Sequence, residues 1–195
     1  MHDQTTTLPR LSPRAWIPIG LGIVAAAAVI LHAMGQPLIC RCGTVKLWQG
    51  DVTSAENSQQ LVDWYSPSHV IHGLLLYALL RWAFRRRPLG LRAVAALLIE
   101  SGWEILENSP LIIDRYRAAT ISLGYRGDSV VNSVSDILFM LFGFALAARL
   151  PVWVSVALAV LLEVVVGYAI RDNLTLNIIM LVHPIDAIRA WQMGG

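Results

Sequence analysis

The apolar positions of this chain gather into five long runs, at residues 15–34, 67–84, 89–108, 128–149 and 152–170. Each is close to the ~20 residues that a helix needs to cross a bilayer. The pattern predicts an all-α polytopic membrane helix bundle of about five transmembrane helices, forming a single integral membrane domain over residues 1–195. Between the runs lie a polar stretch (36–66), an arginine-rich turn, a loop after Pro110 and a short turn at Leu150-Pro151. The tail, 171–195, holds an apolar patch at 174–182 that is too short to span. An amphipathic segment follows from Pro184 to Trp191. The tail is therefore expected on the membrane surface or re-entrant into the bundle.

Local signals refine these bounds. The run 15–34 follows Arg10 and Arg14 and fits either a signal peptide or a first helix. It exceeds the usual 7–15 residue core of a signal peptide, which favours an uncleaved helix. Ser54 is expected to cap a short helix running to Trp64, and Ser66 to cap the second span with Pro67 in its first turn. Asp128 is the expected cap of the fourth span.

Composition agrees with a membrane chain. The residues are 56% hydrophobic and 14% charged, against about 25% charged in a soluble domain. A net charge of +2 gives no reason to expect nucleic acid as a partner; the lipid bilayer is the expected one. Two cysteines, Cys40 and Cys42, are too few for a disulfide framework. They fit a strained small ring, a metal-binding or redox pair, or unbonded thiols.

Charge also orients the chain. Arg81, Arg85, Arg86, Arg87 and Arg92 form its densest basic cluster, and such clusters stay cytoplasmic. That makes 1–14 a cytoplasmic tail, 35–66 an outer loop and 171–195 an outer C-terminal tail. The N-terminus is then cytoplasmic and the C-terminus periplasmic.

The candidate chemistry lies in what interrupts the apolar runs. Glu100, Glu104 and Asn108 recur at a spacing of four and share one helix face, with Glu107 beside them. Carboxylates in hydrocarbon need partners, water or an ion. At 1.5 Å per residue, alternating spans bring His69 and His72 of the second helix, Glu104 and Glu107 of the third, and Asp128 and Asn132 of the fourth to the outer end. Glu100 and Asp136 fall nearer mid-membrane. The candidate metal ligands are His69, His72, Glu104 and Asp128; the candidate catalytic groups are Glu104, Glu107, Asp128, Asn132 and Asp136. Each has a plainer reading. The histidine pair can simply be solvated. The glutamates can share a proton or pair with Arg115 or Arg117. Glu163 stands isolated in the fifth span and is expected to be neutral. Zincin, nucleophile-elbow, Walker and dinucleotide-binding motifs are absent, and no organic cofactor is expected.

Several segments carry a family resemblance: Asp63-Trp-Tyr-Ser-Pro-Ser-His-Val-Ile-His-Gly73, Trp103-Glu-Ile-Leu-Glu-Asn-Ser-Pro110, Asp114-Arg-Tyr-Arg117, Gly127-Asp-Ser-Val-Val-Asn-Ser-Val-Ser-Asp136 and Arg171-Asp-Asn-Leu-Thr-Leu-Asn177. From Leu38 to Trp191 the chain resembles an uncharacterised bacterial family of multi-pass inner-membrane proteins, a domain of unknown function. It is similar more loosely to YjdF-like and VanZ-like membrane proteins. The resemblance implies location in the bacterial inner membrane and no particular activity. Whether the chain is an enzyme stays open. The leading expectation is a metal-assisted hydrolase or metal-binding protein, with a divalent ion and a periplasmic or lipid-linked small-molecule substrate. The alternatives are a proton-coupled transporter with a relay through Glu100, Asp136 and Glu163, and a structural partner subunit of a membrane complex.

Overall fold

A computed structural model describes residues 15–194; the expected cytoplasmic tail 1–14 lies outside them. Eight helices follow one another in this range: α1 (Trp16–Ala33), α2 (Ser66–Ala83), α3 (Leu89–Glu107), α4 (Pro110–Ala119), α5 (Val130–Ala147), α6 (Val152–Ile170), α7 (Leu174–Val182) and α8 (Asp186–Gln192). An isolated bridge between Gln49 and Asp63 is the one β contact among the described residues. The protein is all-helical. By length and composition α1, α5 and α6 can each cross a membrane, which suggests a membrane protein. α2 and α3 are as long but carry the polar groups.

The bundle is built on the close pairing of α2 and α5. A Cβ on Gly73 would fall onto the backbone carbonyl of Met140, and one on Gly143 onto that of Val70. Only glycine at both positions lets the two backbones approach this closely. Leu80, Ala96, Leu97, Ile137, Met140 and Phe144 form the core around that seam, and Ala27 of α1 closes it. α6 lies outside; Val166 is its one buried residue.

The segment between α1 and α2 folds over one end of the bundle. Pro37 and Leu38 accept the amides of Val130 and Val131, and Ser58 accepts that of Ser129. These bonds satisfy first-turn donors of α5 that a helix leaves unpaired.

Four expectations need correction. Residues 54–64 form turns, not a helix. Asp51 and Ser54 bond the amides of Thr53 and Glu56, and Ser58 takes a positive φ of 59°; local side-chain bonds compete with helix here. Ser66 does not cap α2. Tyr65 stands at the cap position, while the Ser66 hydroxyl accepts the Asp63 amide. Ser129, not Asp128, caps α5, with its side chain accepting from the Asn132 amide. Last, the loop after Pro110 begins as α4. Proline ends α3 and, needing no amide partner, opens the next helix. The tail forms α7 and α8 and folds back against the bundle, α7 onto α4.

Candidate functional site

α2 and α3 supply the centre of the site. His69 and His72 sit three apart, on one side of α2. Nδ1 of His69 lies 2.7 Å from Glu100 Oε1, and Nδ1 of His72 lies 3.0 Å from the same oxygen. The two rings meet edge to face with centroids 5.1 Å apart. Glu104, one turn along α3, brings Oε1 to 3.5 Å from His69 Nδ1. From α5, Asp136 Oδ2 reaches 3.8 Å from His69 Nε2. Glu100, Glu104 and Asp136 are all buried. Both Glu104 oxygens and Asp136 Oδ1 have no hydrogen-bond partner.

A second group meets the first at Glu104. One oxygen each from Glu104, Glu107 and Asp128 lie within 4.8 Å of one another, as do one ligand atom each of His69, His72 and Glu100. Glu107 accepts from the Tyr116 hydroxyl at 2.8 Å. Asp128 accepts from the Tyr125 hydroxyl and from Asn108 Nδ2, both at 2.9 Å. Asn108 Oδ1 in turn accepts the Asp128 amide at 2.6 Å. This doubly bonded pair joins the end of α3 to the start of α5.

Beside both groups lies a cavity of about 240 Å³, lined among others by Asp63, Tyr65, His72, Glu107, Asp128 and Asp136. α7 covers it with Leu174, Asn177, Ile178 and Leu181. Both ends of α7 are tied down. Glu163 accepts the amides of Leu174 and Thr175, each at 3.1 Å. Arg115 donates to the carbonyls of Leu181 and Val182 at 2.7 and 3.3 Å. Ahead of α7, Asp172 accepts from the Tyr65 hydroxyl and Gln192 Nε2. Burial pushes the Asp172 carboxyl up to about 6, against its hydrogen-bond donors. Burial also raises Asp63, even though it accepts amides of Tyr65 and Ser58.

The sequence-derived candidates thus divide. His69, His72, Glu104 and Asp136 converge, and Glu104, Glu107 and Asp128 form the adjoining group. Asn132 lines the cavity, but its Nδ2 donates to the Gln60 carbonyl at 2.8 Å, a tie to the loop above. Arg115 and Arg117 do not pair with the glutamates; Arg115 holds α7, and Arg117 bonds the Tyr125 carbonyl and Asp114. Glu163 is not isolated. Cys40 and Cys42 are not free thiols but are bonded to each other, with Cα atoms 5.1 Å apart, inside the span a disulfide bridges.

Glu100, which both histidines meet, is the principal residue that the candidate ligands omit. Counting axial rise puts it deeper than the histidines, but the count ignores side-chain reach, and a glutamate reaches about one turn. Its spacing of four from Glu104 was the available signal. Tyr116, Tyr125 and Asp63 left no such signal, because they sit in α4 and in irregular segments.

Comparison with known proteins places the chain. The family described as "Protein of unknown function (DUF2585)" matches residues 31–194. A UPF0314 protein from Sphingopyxis alaskensis is 54% identical over 185 residues, covering 95% of this chain and 98% of the relative. One from Sinorhizobium fredii is 55% identical over 179 residues, 92% of this chain and 91% of its own. One from Paracoccus denitrificans is 55% identical over 170 residues, 87% and 88% of the two chains. No solved structure matches. With the family match running through every element of the site and these relatives covering most of the chain, the chain belongs to this uncharacterised bacterial family, DUF2585, whose members here carry the name UPF0314.

Proposed function

We propose that this is a five-span protein of the bacterial inner membrane that holds a divalent transition-metal ion in its outer half and hydrolyses a small periplasmic or lipid-linked substrate. The observation that carries the reading is the junction of His69, His72 and Glu100 with a fully buried Glu104 whose two oxygens lack partners. A buried polar atom without a partner costs about 1–3 kcal/mol, and a cation among these groups offsets that cost. Imidazole and carboxylate together suit zinc-like ions. An ion there would supply Lewis acidity and activate water. Asp136 lines the adjoining cavity and is the carboxylate best situated to take or deliver a proton.

Orientation rests on two supports. The arginine cluster lies at the α2–α3 turn, the end expected in the cytoplasm. The Cys40–Cys42 bond lies in the loop over the other end, and disulfides persist in oxidising compartments such as the periplasm. The relay of a proton-coupled carrier lacks a free third member, since both Glu163 oxygens accept α7 amides.

Metal analysis of the full chain in detergent tests the proposal. Zinc-class metal near one equivalent in the unmodified protein, and at least tenfold less in His69→Ala and Glu100→Gln, is expected. A metal-free protein that takes up none on reconstitution refutes it.

A further inference from the structure

Glu107 and Asp128, beside the histidine cluster, make with Glu104 a second set of which the single-ion reading uses Glu104 alone. We infer that Glu104, Glu107 and Asp128 hold a second divalent cation, harder than the first, so that the site is a two-ion centre with Glu104 at the junction. This builds on the metal-centre reading above.

Three observations carry it. The first is spacing: three carboxylate oxygens, two from α3 and one from the segment that leads into α5, lie within 4.8 Å of one another. The second is that no Arg or Lys compensates them, the one basic group in reach being His69, 3.5 Å from Glu104. Among the described residues the ion pairs of Arg and Lys lie elsewhere, Lys46 with Glu56 and Arg117 with Asp114, and Arg115 is bound to α7. Carboxylates this close cannot all ionise unless a cation joins them. The third is independent of the clustering. Glu104 is fully buried, and neither of its oxygens has any hydrogen-bond partner.

The surroundings fit a ligand set more than a proton store. Tyr116 donates to Glu107, and Tyr125 and Asn108 donate to Asp128. Each donor orients a carboxylate and leaves it lone pairs, as outer donors do around bound metals. The donor sets also differ in kind. Oxygen-only donors suit Mn²⁺, Mg²⁺ or Ca²⁺, whereas the histidine side suits zinc-like ions. Glu107 and Asp128 face the cavity, so a second ion there would meet substrate directly, as in paired-ion hydrolases.

The test is metal stoichiometry on the full chain in detergent, stripped with chelator and reloaded with Zn²⁺, Mn²⁺ or both. Two ions per chain are expected with both metals present, the Mn²⁺ also visible by electron paramagnetic resonance. Glu107→Gln and Asp128→Asn should weaken Mn²⁺ binding more than tenfold and leave Zn²⁺ near one equivalent; His72→Ala should do the reverse. Tyr125→Phe keeps the carboxylate and removes only its donor, so it guards against misfolding; a loss in Mn²⁺ affinity of about tenfold is expected. One Zn²⁺ per chain with no Mn²⁺ at saturation overturns the second ion and leaves the first intact. No binding of either metal overturns both readings.

Discussion

Replacing Gly73 with alanine tests the seam that assembles the site. The new methyl group would sit on the Met140 carbonyl, against Phe144 and Gly143 as well. Those atoms are backbone, so no side chain can swing away. Carbon contacts settle at ~3.5–4.0 Å, so α2 and α5 must part by roughly an ångström or more. Overpacking of this kind costs about 1–3 kcal/mol, and a backbone obstacle puts Gly73→Ala at the upper end. The same parting lengthens the gap from His69 to Asp136, now 3.8 Å, because His69 lies one turn before Gly73 and Asp136 one turn before Met140. The expected result is a clear fall in thermal midpoint in detergent, together with weaker metal retention. Gly102→Ala is the control. Nothing lies within 4 Å of its would-be Cβ, so alanine should be neutral, or stabilising by up to about 1 kcal/mol from helix propensity. If Gly73→Ala unfolds at the same temperature as Gly102→Ala, the close-approach argument fails.

Three further outcomes are expected. Glu163→Ala removes the acceptor of two α7 amides; hydrogen exchange at Leu174 and Thr175 should quicken on the order of tenfold or more, and unchanged protection would show that α7 does not depend on Glu163. Asp172 carries a carboxyl raised from 3.8 to about 6 by burial, so the folded state binds the proton more tightly than the unfolded chain. Its contribution is full below pH 4 and is lost as pH rises through 6, about 3 kcal/mol in all. Asp172→Asn should flatten the fall in thermal midpoint between pH 4 and 7, and parallel profiles would contradict this. For topology, reporter fusions should read cytoplasmic at Arg86 and periplasmic at Gln59 and Arg117; a periplasmic signal at Arg86 would reverse the assignment.

How much of this was legible in the sequence depends on the range of the interactions. Long helices follow from local apolar content, and the bounds of α2, α3 and α6 agree with the expected runs to within a residue or so. The family was legible too, because its motifs are contiguous strings. Candidate residues at helical spacing, such as Glu100, Glu104 and Asn108, could be picked out because spacing alone sets which side of a helix they share. The caps were less legible. Asp128 and Ser129 are both good cap residues, and only the Asn108–Asp128 pairing, across twenty positions of sequence, decides that the serine caps.

The rest was decided by tertiary structure. Which carboxylate the histidines meet depends on how α2 and α3 lie side by side and on side-chain reach, and neither is encoded in a run of apolar residues. That Glu163 and Arg115 hold α7 over the cavity follows from contacts eleven and sixty-six residues apart in sequence. Periodicity carries no information at that range, because it reports the environment of one helix and not the identity of its neighbours. The sequence alone therefore determined the long helices and their polar faces, and not the short ones, where a helix expected at 54–64 is turns and a loop expected after Pro110 begins as α4. Packing, through glycines that let α2 meet α5, determined which of those faces confront one another.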